Sequence, residues 1–180
     1  MQIKPGKDSR YASGSGGDGL RICFLLFGSI LLDQLTKHLV RMTMSVGQSV
    51  SVVGDVVRIT FVENTGIVFG IRVGPPVIFT ILSGIASIGI AVYLYRNRRT
   101  GFRMTGGLTL ILSGAVGNLT DRILFAKVVD FIDIGIRHIR WPVFNVADSA
   151  VVVGMFWLLF FTFRSESHDA SGGRSSPEIP

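Results

Sequence analysis

Two aspartates are the residues of this sequence best suited to do chemistry. Asp130 lies in Val129-Asp130-Phe131, and Asp148 lies in Phe144-Asn145-Val146-Ala147-Asp148-Ser149, inside an apolar run that otherwise fits a membrane-spanning helix. An ionisable group within such a run is costly, so it indicates a functional site unless a partner explains it. Two carboxylates close together cannot both ionise readily, and a pair that keeps one proton can activate a water while protonating a carbonyl. That is the chemistry of aspartic peptide hydrolysis.

Asparagines near these acids can orient such a pair. Asn118 stands at the end of one apolar run, and Asn145 precedes Asp148 by three residues. A carboxamide carries donors and an acceptor, so it can hold a carboxylate or a substrate backbone. Asn118 and Asn145 are therefore the polar residues best placed to support the pair.

The composition is that of a membrane protein. Of the 180 residues, 48% are hydrophobic and only 17% are charged, and the mean hydropathy is +0.50. These values are too apolar for an ordinary soluble domain. The net charge of +6 does not indicate nucleic-acid binding, because the basic residues cluster at the ends of apolar runs. A single cysteine, Cys23, excludes an intramolecular disulfide framework and a cysteine-based zinc site.

Four apolar runs are long enough to cross a bilayer. They predict transmembrane helices at about residues 22–40, 76–95, 104–122 and 142–163, the last with Pro142 in its first turn. These helices define a membrane domain over residues 21–163. The flanking segments are polar and rich in Gly and Ser, so residues 1–20 are predicted to be a flexible basic tail and residues 164–180 a disordered tail.

Residues 43–72, between the first two predicted spans, are rich in β-branched residues and are punctuated by glycines. This pattern favours a short hairpin or a small sheet. Within it, Asn64-Thr65-Gly66 fits either an ordinary turn or a close approach to another group. Residues 123–141 alternate apolar and charged side chains and cannot span a membrane, so Asp130 is expected in a loop between the third and fourth spans.

The predicted topology gathers the polar residues at one membrane face. The short loop that contains Arg96, Arg98, Arg99 and Arg103 joins the second and third spans and is predicted to be cytoplasmic, together with both termini. Ends of spans that are far apart in sequence then meet at the opposite face. The groups gathered there are Asp33, Lys37, Asn64, Asn118, Asp121, Asp130 and Asp148. This convergence indicates a site.

Structural roles compete with chemical ones for several of these residues. Asp33 and Lys37 are four apart on one helical face, which favours a structural ion pair over a catalytic role. Asp121 with Arg122 could anchor a helix at the membrane boundary. His38, His138 and His168 have no spacing typical of metal ligation.

Other classes of function are open on the residues alone. Ser113 or Ser149 as a nucleophile would need a base, and the only histidine inside a predicted span is His38, near the end of the first one. A small transporter or channel would need polar groups through the whole depth of the bilayer. A structural subunit would use the charged residues to dock a partner.

Five blocks of this sequence together resemble the bacterial lipoprotein signal peptidase family, signal peptidase II. They are Asp33-Gln-x-Thr-Lys37, Asn64-x-Gly66, Gly114-Ala-x-Gly117-Asn118-x-x-Asp121-Arg122, Val129-Asp130-Phe131 and Phe144-Asn145-x-Ala147-Asp148-Ser149. Each block alone is weak, but all five in the family's order are specific. The resemblance covers about residues 22–163.

This resemblance implies an α-helical integral membrane protein of the bacterial inner membrane, an aspartic endopeptidase. It implies four transmembrane helices, a small extracytoplasmic β-cradle, a short amphipathic or loop segment, and neither a metal nor a cofactor. The implied substrate is a prolipoprotein in the membrane lipid, cut before a cysteine that carries diacylglycerol. The implied enzyme acts as a monomer, with its active site at the extracytoplasmic face and no nucleic-acid partner.

On the same resemblance, the catalytic dyad is Asp130 with Asp148. Asp121 is the rival for the first acid, and is interpreted as pairing with Arg122 and bracing the site. Asp33 and Lys37 are structural. Asp133 departs from the pattern; three residues after Asp130, it would face the other side of a strand. The substrate-binding or supporting residues are Asn64, Gly114, Asn118, Asp121, Arg122 and Asn145.

Overall fold

The computed structural model describes residues 16–68, 71–72 and 75–172. Within these residues it contains four long helices, α1 (Gly16–Thr43), α2 (Pro76–Arg96), α3 (Phe102–Phe125) and α4 (Val146–Gly172). The strands are β1 (Ser49–Val53), β2 (Val57–Asn64), β3 (Ile67–Val68), β4 (Ile71–Arg72), β5 (Val128–Ile136) and β6 (Ile139–Arg140).

All four helices are long and apolar enough to cross a membrane, over Gly17–Thr43, Val77–Arg96, Phe102–Phe125 and Val146–Arg164. Large apolar side chains on their outer faces, such as Phe24, Leu31, Ile85 and Phe156, are exposed. A helix bundle in water would bury such residues, whereas one in lipid can present them to the acyl chains. The predicted fold class, four membrane helices with a small sheet, is confirmed.

The sheet joins two distant parts of the chain. Its order is β1-β2-β5-β6, and neighbouring strands are antiparallel. Asp130, expected in a loop, lies in β5, where it is paired with Val62 of β2. The β-branched and aromatic run from Val128 to Ile134 carries the ordinary signal of a strand. A regular strand fixes the direction of the Asp130 side chain more firmly than a loop would.

The start of α4 differs from the prediction. Pro142 was expected in its first turn, but the helix begins at Val146. The residues before it fold back along β5: Trp141 N–H donates to Ile134 O at 2.8 Å, and Ile132 N–H donates to Phe144 O at 2.7 Å. This pairing holds the segment extended and brings the first turn of α4 beside Asp130.

Helix α3 packs closely against α4 through glycines. A Cβ atom on Gly154 would lie 2.7 Å from the carbonyl oxygen of Gly107, and one on Gly114 would collide with the carbonyl of Ala147. Small residues allow helix backbones to approach in lipid, where van der Waals contact drives association. Gly114 therefore acts by letting the start of α4 reach α3.

The predicted tails are partly helical. Helix α1 begins at Gly16, inside the segment predicted to be a flexible tail. Helix α4 continues through residues 164–172, which were predicted to be disordered. Extending an existing helix costs far less than nucleating one, so each apolar span continues into its polar flank. The rest of the two predicted tails, residues 1–15 and 173–180, lies outside the described residues.

Candidate active site

Asp130 is buried on β5 between two carboxamides. Its Oδ2 accepts a hydrogen bond from Asn64 Nδ2 at 3.0 Å, and its Oδ1 accepts one from Asn145 Nδ2 at 2.7 Å. Burial raises the pKa of Asp130 to about 6. The two amide hydrogen bonds act in the opposite direction, while the charge of Asp148 raises the pKa further. Asp130 is thus a carboxyl group that can hold a proton near neutral pH.

Asp148 lies in the first turn of α4 and caps the helix N-terminus together with Asn145. The backbone N–H of Asn145 donates to Asp148 Oδ2 at 3.1 Å, and the backbone N–H of Asp148 donates to Asn145 Oδ1 at 2.9 Å. This is a reciprocal capping box, which explains why the helix begins at Val146. A carboxylate in the first helical turn is also favoured by the helix dipole.

Asn145 contacts both acids at once. Its side-chain amide donates to Asp130, while its backbone N–H donates to Asp148. It is fully buried, and the same amide lies 3.2 Å from Val129 O. One residue therefore links the strand acid to the helix acid, and the two predicted dyad residues come together.

Asn118 holds the other side of Asp148. Its Nδ2 donates to Asp148 Oδ1 at 2.8 Å, while its Oδ1 accepts from Lys37 Nζ at 2.9 Å and from Asn145 Nδ2 at 3.1 Å. An ammonium group can only donate, so the atom of Asn118 that faces Lys37 must be the oxygen. Lys37 thereby fixes the amide so that its NH₂ group faces Asp148.

Lys37 is fully buried and all three of its donors have acceptors. Besides Asn118, it contacts Asp33 Oδ2 at 2.8 Å and Asp121 Oδ2 at 3.2 Å. Arg41, one turn later on α1, contacts Asp121 Oδ1 at 3.0 Å. Two negative and two positive side chains thus cancel in formal charge. A buried charge without a partner is strongly destabilising, so the set acts as a unit.

Asp33 connects this ion network to α4. Its Oδ1 accepts the backbone N–H of Ala147 at 2.8 Å, one of the unpaired donors at the start of the helix. Gln34 lies alongside, with its Nε2 3.0 Å from Asp33 Oδ2 and 3.1 Å from Gly117 O. The predicted Asp33–Lys37 ion pair exists, and it is buried inside the site instead of lying at the surface.

The expected pairing of Asp121 with Arg122 is wrong. The carboxylate of Asp121 is fully buried and taken up by Lys37, Arg41 and the backbone N–H of Val129. Adjacent residues on a helix do not face each other, which explains the error. Arg122 points elsewhere: its guanidinium lies 3.3 Å from Ser83 Oγ on α2 and 3.4 Å from Asn118 O.

Asn64 is oriented by a turn. Its Oδ1 accepts the backbone N–H of Gly66 at 2.9 Å, which leaves Nδ2 towards Asp130. Gly66 has a φ of +98°, and a Cβ atom there would collide with the ring of Phe79. Only glycine fits both demands, so the Asn64-x-Gly66 block follows from the geometry of the turn.

Asp133 lies apart from the two acids. It accepts hydrogen bonds from Arg140 Nε at 2.6 Å and from Thr60 Oγ1 at 2.7 Å. Although burial acts to raise it, these hydrogen bonds hold the pKa of Asp133 below its ordinary value. The acid is an anchor for the β5–β6 turn.

Serine nucleophiles are not supported by the geometry. The hydroxyl of Ser113 donates to Leu110 O, and that of Ser149 donates to Asn145 O. In the described part of the chain, no three His, Cys, Asp or Glu side chains are placed to hold a metal ion. The chemistry that the arrangement supports is that of the two acids.

Two contributors were missed in the sequence. Arg41 follows Lys37 by one helical turn, and this i,i+4 spacing was the available signal. The hydroxyl of Ser83 has no comparable signal, because its relation to Arg122 depends on how α2 packs against α3.

Comparisons with known proteins agree with this geometry. The family model of signal peptidase II, an A8-type peptidase, matches residues 25–164, which is most of the chain and includes both acids. The chain belongs to the signal peptidase II family. As a member of that family it is an aspartic peptidase and a multi-pass membrane protein.

Individual relatives of this peptidase are similar over most of their length. The lipoprotein signal peptidase of Halothermothrix orenii is 41% identical over 137 residues, which cover 76% of this chain and 91% of that protein. The lipoprotein signal peptidase of Bacillus subtilis is 41% identical over 139 residues, covering 77% and 89%. A solved bacterial membrane enzyme superposes with a TM-score of 0.71 at 28% identity, covering 92% of this chain and 96% of that one.

Proposed function

We propose that this peptidase removes the signal peptide of prolipoproteins, with Asp130 and Asp148 as its catalytic dyad. The observation that carries the proposal is the bridge through Asn145, which donates to both carboxylates. Groups from β2, α3 and the start of α4 orient the same pair. Such preorganised donors hold the acids in a reactive geometry before substrate arrives.

The surroundings of the two acids differ. Asp148 accepts hydrogen bonds from Asn118 and from the backbone of Asn145 at a helix N-terminus, so its oxygens face donors. Burial instead favours the protonated form of Asp130. Asp148 is therefore the base and Asp130 the acid.

Hydrolysis follows from this assignment. Asp148 takes a proton from a water molecule, whose oxygen attacks the scissile carbonyl carbon, while Asp130 gives its proton to the carbonyl oxygen. The carbon–nitrogen bond then breaks. The proton held by Asp148 goes to the leaving amine, and the proton on the former carbonyl oxygen returns to Asp130 as the carboxyl product forms.

The buried ion network positions the dyad without taking part in the reaction. Lys37 orients Asn118, which orients Asp148, while Asp33 holds the backbone of Ala147. Arg122 lies one turn after Asn118 on α3 and can meet the substrate backbone. Gly114 keeps α4 close enough for these contacts.

The orientation in the membrane follows from charge. Arg96, Arg98, Arg99 and Arg103 lie in and beside the short turn between α2 and α3, at the end of the bundle away from the acids. Basic loops stay in the cytoplasm, so both termini lie inside and the acids face the extracytoplasmic side of the inner membrane. The proposed enzyme acts as a monomer on substrate held in membrane lipid.

Transport is not favoured. The buried charged residues among those described gather around Lys37, Asp121, Asp130 and Asp133, at or beyond one end of the bundle. Deeper hydroxyls such as Thr109 donate to the backbone of their own helix. A proton or cation path would need polar groups through the whole depth of the bilayer.

A cleavage assay with defined precursors tests the proposal. The full chain, reconstituted in lipid nanodiscs, is given a prolipoprotein precursor with a diacylglyceryl cysteine, and the same precursor with an unmodified cysteine. Mass spectrometry should find the lipidated precursor cut on the amino side of the cysteine. An Asp148→Asn variant should leave it intact. Equal cleavage of the unmodified precursor would contradict the lipid-dependent part of the proposal.

A further inference from the structure

An apolar groove lies beside α4 and extends from Ile134 of the sheet, past Asp148, to Val153. It has a volume of about 520 Å³, within the range of ligand pockets. Its lining comes from one face of α4, from the segment that leads into α4, and from Ile134 of β5. The lining residues are Ile134, Trp141, Phe144, Asp148, Ser149, Val152 and Val153.

The two polar side chains of this lining belong to the start of α4. Asp148 and Ser149 lie in the first turn of α4, and the Ser149 hydroxyl is already bonded to a backbone carbonyl. Val152 and Val153 lie one turn further along, about 6–8 Å deeper into the span at 1.5 Å per residue. The remaining walls are aromatic or aliphatic, so the groove suits a hydrocarbon and offers a peptide backbone no hydrogen-bond partners.

The groove is also open along its length. Trp141 is 67% exposed, and Val152 and Val153 are 45% and 52% exposed. These residues would face lipid in a membrane. A flexible chain can therefore enter from the side, with its head near Asp148 and its tail directed into the bilayer.

Resting on the proposed function, we infer that this groove holds an acyl chain of the diacylglyceryl group on the substrate cysteine. The scissile amide must lie over Asp130 and Asp148, and the modified cysteine contributes the nitrogen of that amide. Its lipid begins only a few bonds away, and Asp148, one of the catalytic acids, itself lines the groove. The acyl chain is the part of the substrate that matches both the position and the chemistry of the lining.

The main effect of the groove is to orient the substrate relative to the dyad. A lipid tail is already surrounded by hydrocarbon in the bilayer, so moving it into an apolar groove gives little hydrophobic gain. Seating the tail instead fixes the glycerol and the cysteine relative to the dyad, and small errors in position are costly for catalysis. The length of the acyl chain should therefore change kcat/KM.

Filling the groove tests this inference. Two precursors are compared that differ only in their acyl chains, palmitoyl or butyryl. The ratio of kcat/KM for the palmitoyl precursor to kcat/KM for the butyryl precursor is measured in nanodiscs. Val152→Trp should lower the ratio about tenfold, because it blocks only the longer chain. Val153→Trp provides a second filling variant. Met155→Trp is the matched control, since Met155 is 46% exposed on α4 and outside the lining, and it should leave the ratio unchanged.

A ratio that stays at the wild-type value in the filling variants, or rates that fall equally for both precursors, would overturn the inference. Failure of the wild-type chain to cut either lipidated precursor would instead overturn the proposed function.

Photocrosslinking gives a readout that needs no filling variant. A precursor with a diazirine in its acyl chain is bound to Asp148→Asn, which keeps the groove walls. Crosslinks on residues 134–153 support the inference, whereas crosslinks confined to α1 or α2 overturn it.

Discussion

Asn145 and Asp148 hold each other across the first turn of α4, each accepting the other's backbone N–H, at 3.1 and 2.9 Å. The same Asn145 reaches Asp130 on β5 with its side-chain amide at 2.7 Å. The capping box that starts α4 thus also positions two acids from different elements relative to each other.

The two uses of Asn145 can be separated by substitution. Asn145→Ser keeps a cap oxygen but removes the amide that reaches Asp130, whereas Asn145→Ala removes both. We expect both variants to lose about 10²-fold in kcat because the acids are no longer aligned. The alanine variant should lose a further ~1 kcal/mol in the free energy of unfolding relative to the serine variant. Cleavage assays and detergent unfolding curves measure the two effects, and wild-type kcat in Asn145→Ser would refute the bridging role.

The pH dependence should follow the proton on Asp130. With a pKa of about 6, Asp130 loses the proton it must donate as the pH rises through that value. The kcat/KM of the wild-type enzyme should therefore fall above about pH 6. The hydrogen bond from Asn64 lowers this pKa, so Asn64→Ala should move the falling limb to higher pH.

The matched control for this profile is Asp133→Asn, which removes a titratable group of the same strand that contacts neither acid. In this variant, kcat/KM should fall over the same pH range as in the wild type. A limb that does not move in Asn64→Ala, or that moves in Asp133→Asn, would assign the titration to another group.

The charge balance around Lys37 predicts that a second substitution can restore part of the stability lost by a first one. Lys37→Met leaves Asp33 and Asp121 facing Arg41 alone, with one uncompensated buried charge, and should cost about 3–5 kcal/mol of unfolding free energy. Adding Asp33→Asn restores neutrality and should recover part of this loss. A double-mutant cycle in SDS unfolding measures the coupling. Additive losses would show that the residues do not act as one network.

Much of this site could be read from the sequence, because its motifs name the residues that touch the acids. Asn118, Asn145 and the Asp33–Lys37 pair were predicted from spacing or resemblance, and geometry brings them together. The partner of Asp121 was not predictable in the same way. Its contacts to Lys37 and Arg41 join residues about 80 positions apart, and their formation depends on the packing of α1 against α3.

Errors in the predicted elements have local causes. The start of α4 was placed at Pro142 because proline suits a first turn, but the capping box at Asn145 and Asp148 and the pairing of Phe144 with Ile132 decide the boundary. The sequence predicts a loop around Asp130 instead of a strand, because the charged residues Asp130 and Asp133 interrupt the β-branched run. In both cases the signal was present but weaker than a competing one.

The most direct test of the account is the kcat of three matched aspartate-to-asparagine variants on a diacylglyceryl-modified precursor. Asp130→Asn and Asp148→Asn should each lose about 10³-fold or more, because one removes the proton donor and the other the base. Asp130→Asn should stay folded at neutral pH, because a neutral amide avoids the cost of burying a charge, which offsets the one hydrogen bond that its NH₂ group cannot accept. Asp133→Asn should stay within about tenfold of the wild-type rate. Wild-type cleavage by either Asp130→Asn or Asp148→Asn would contradict the dyad.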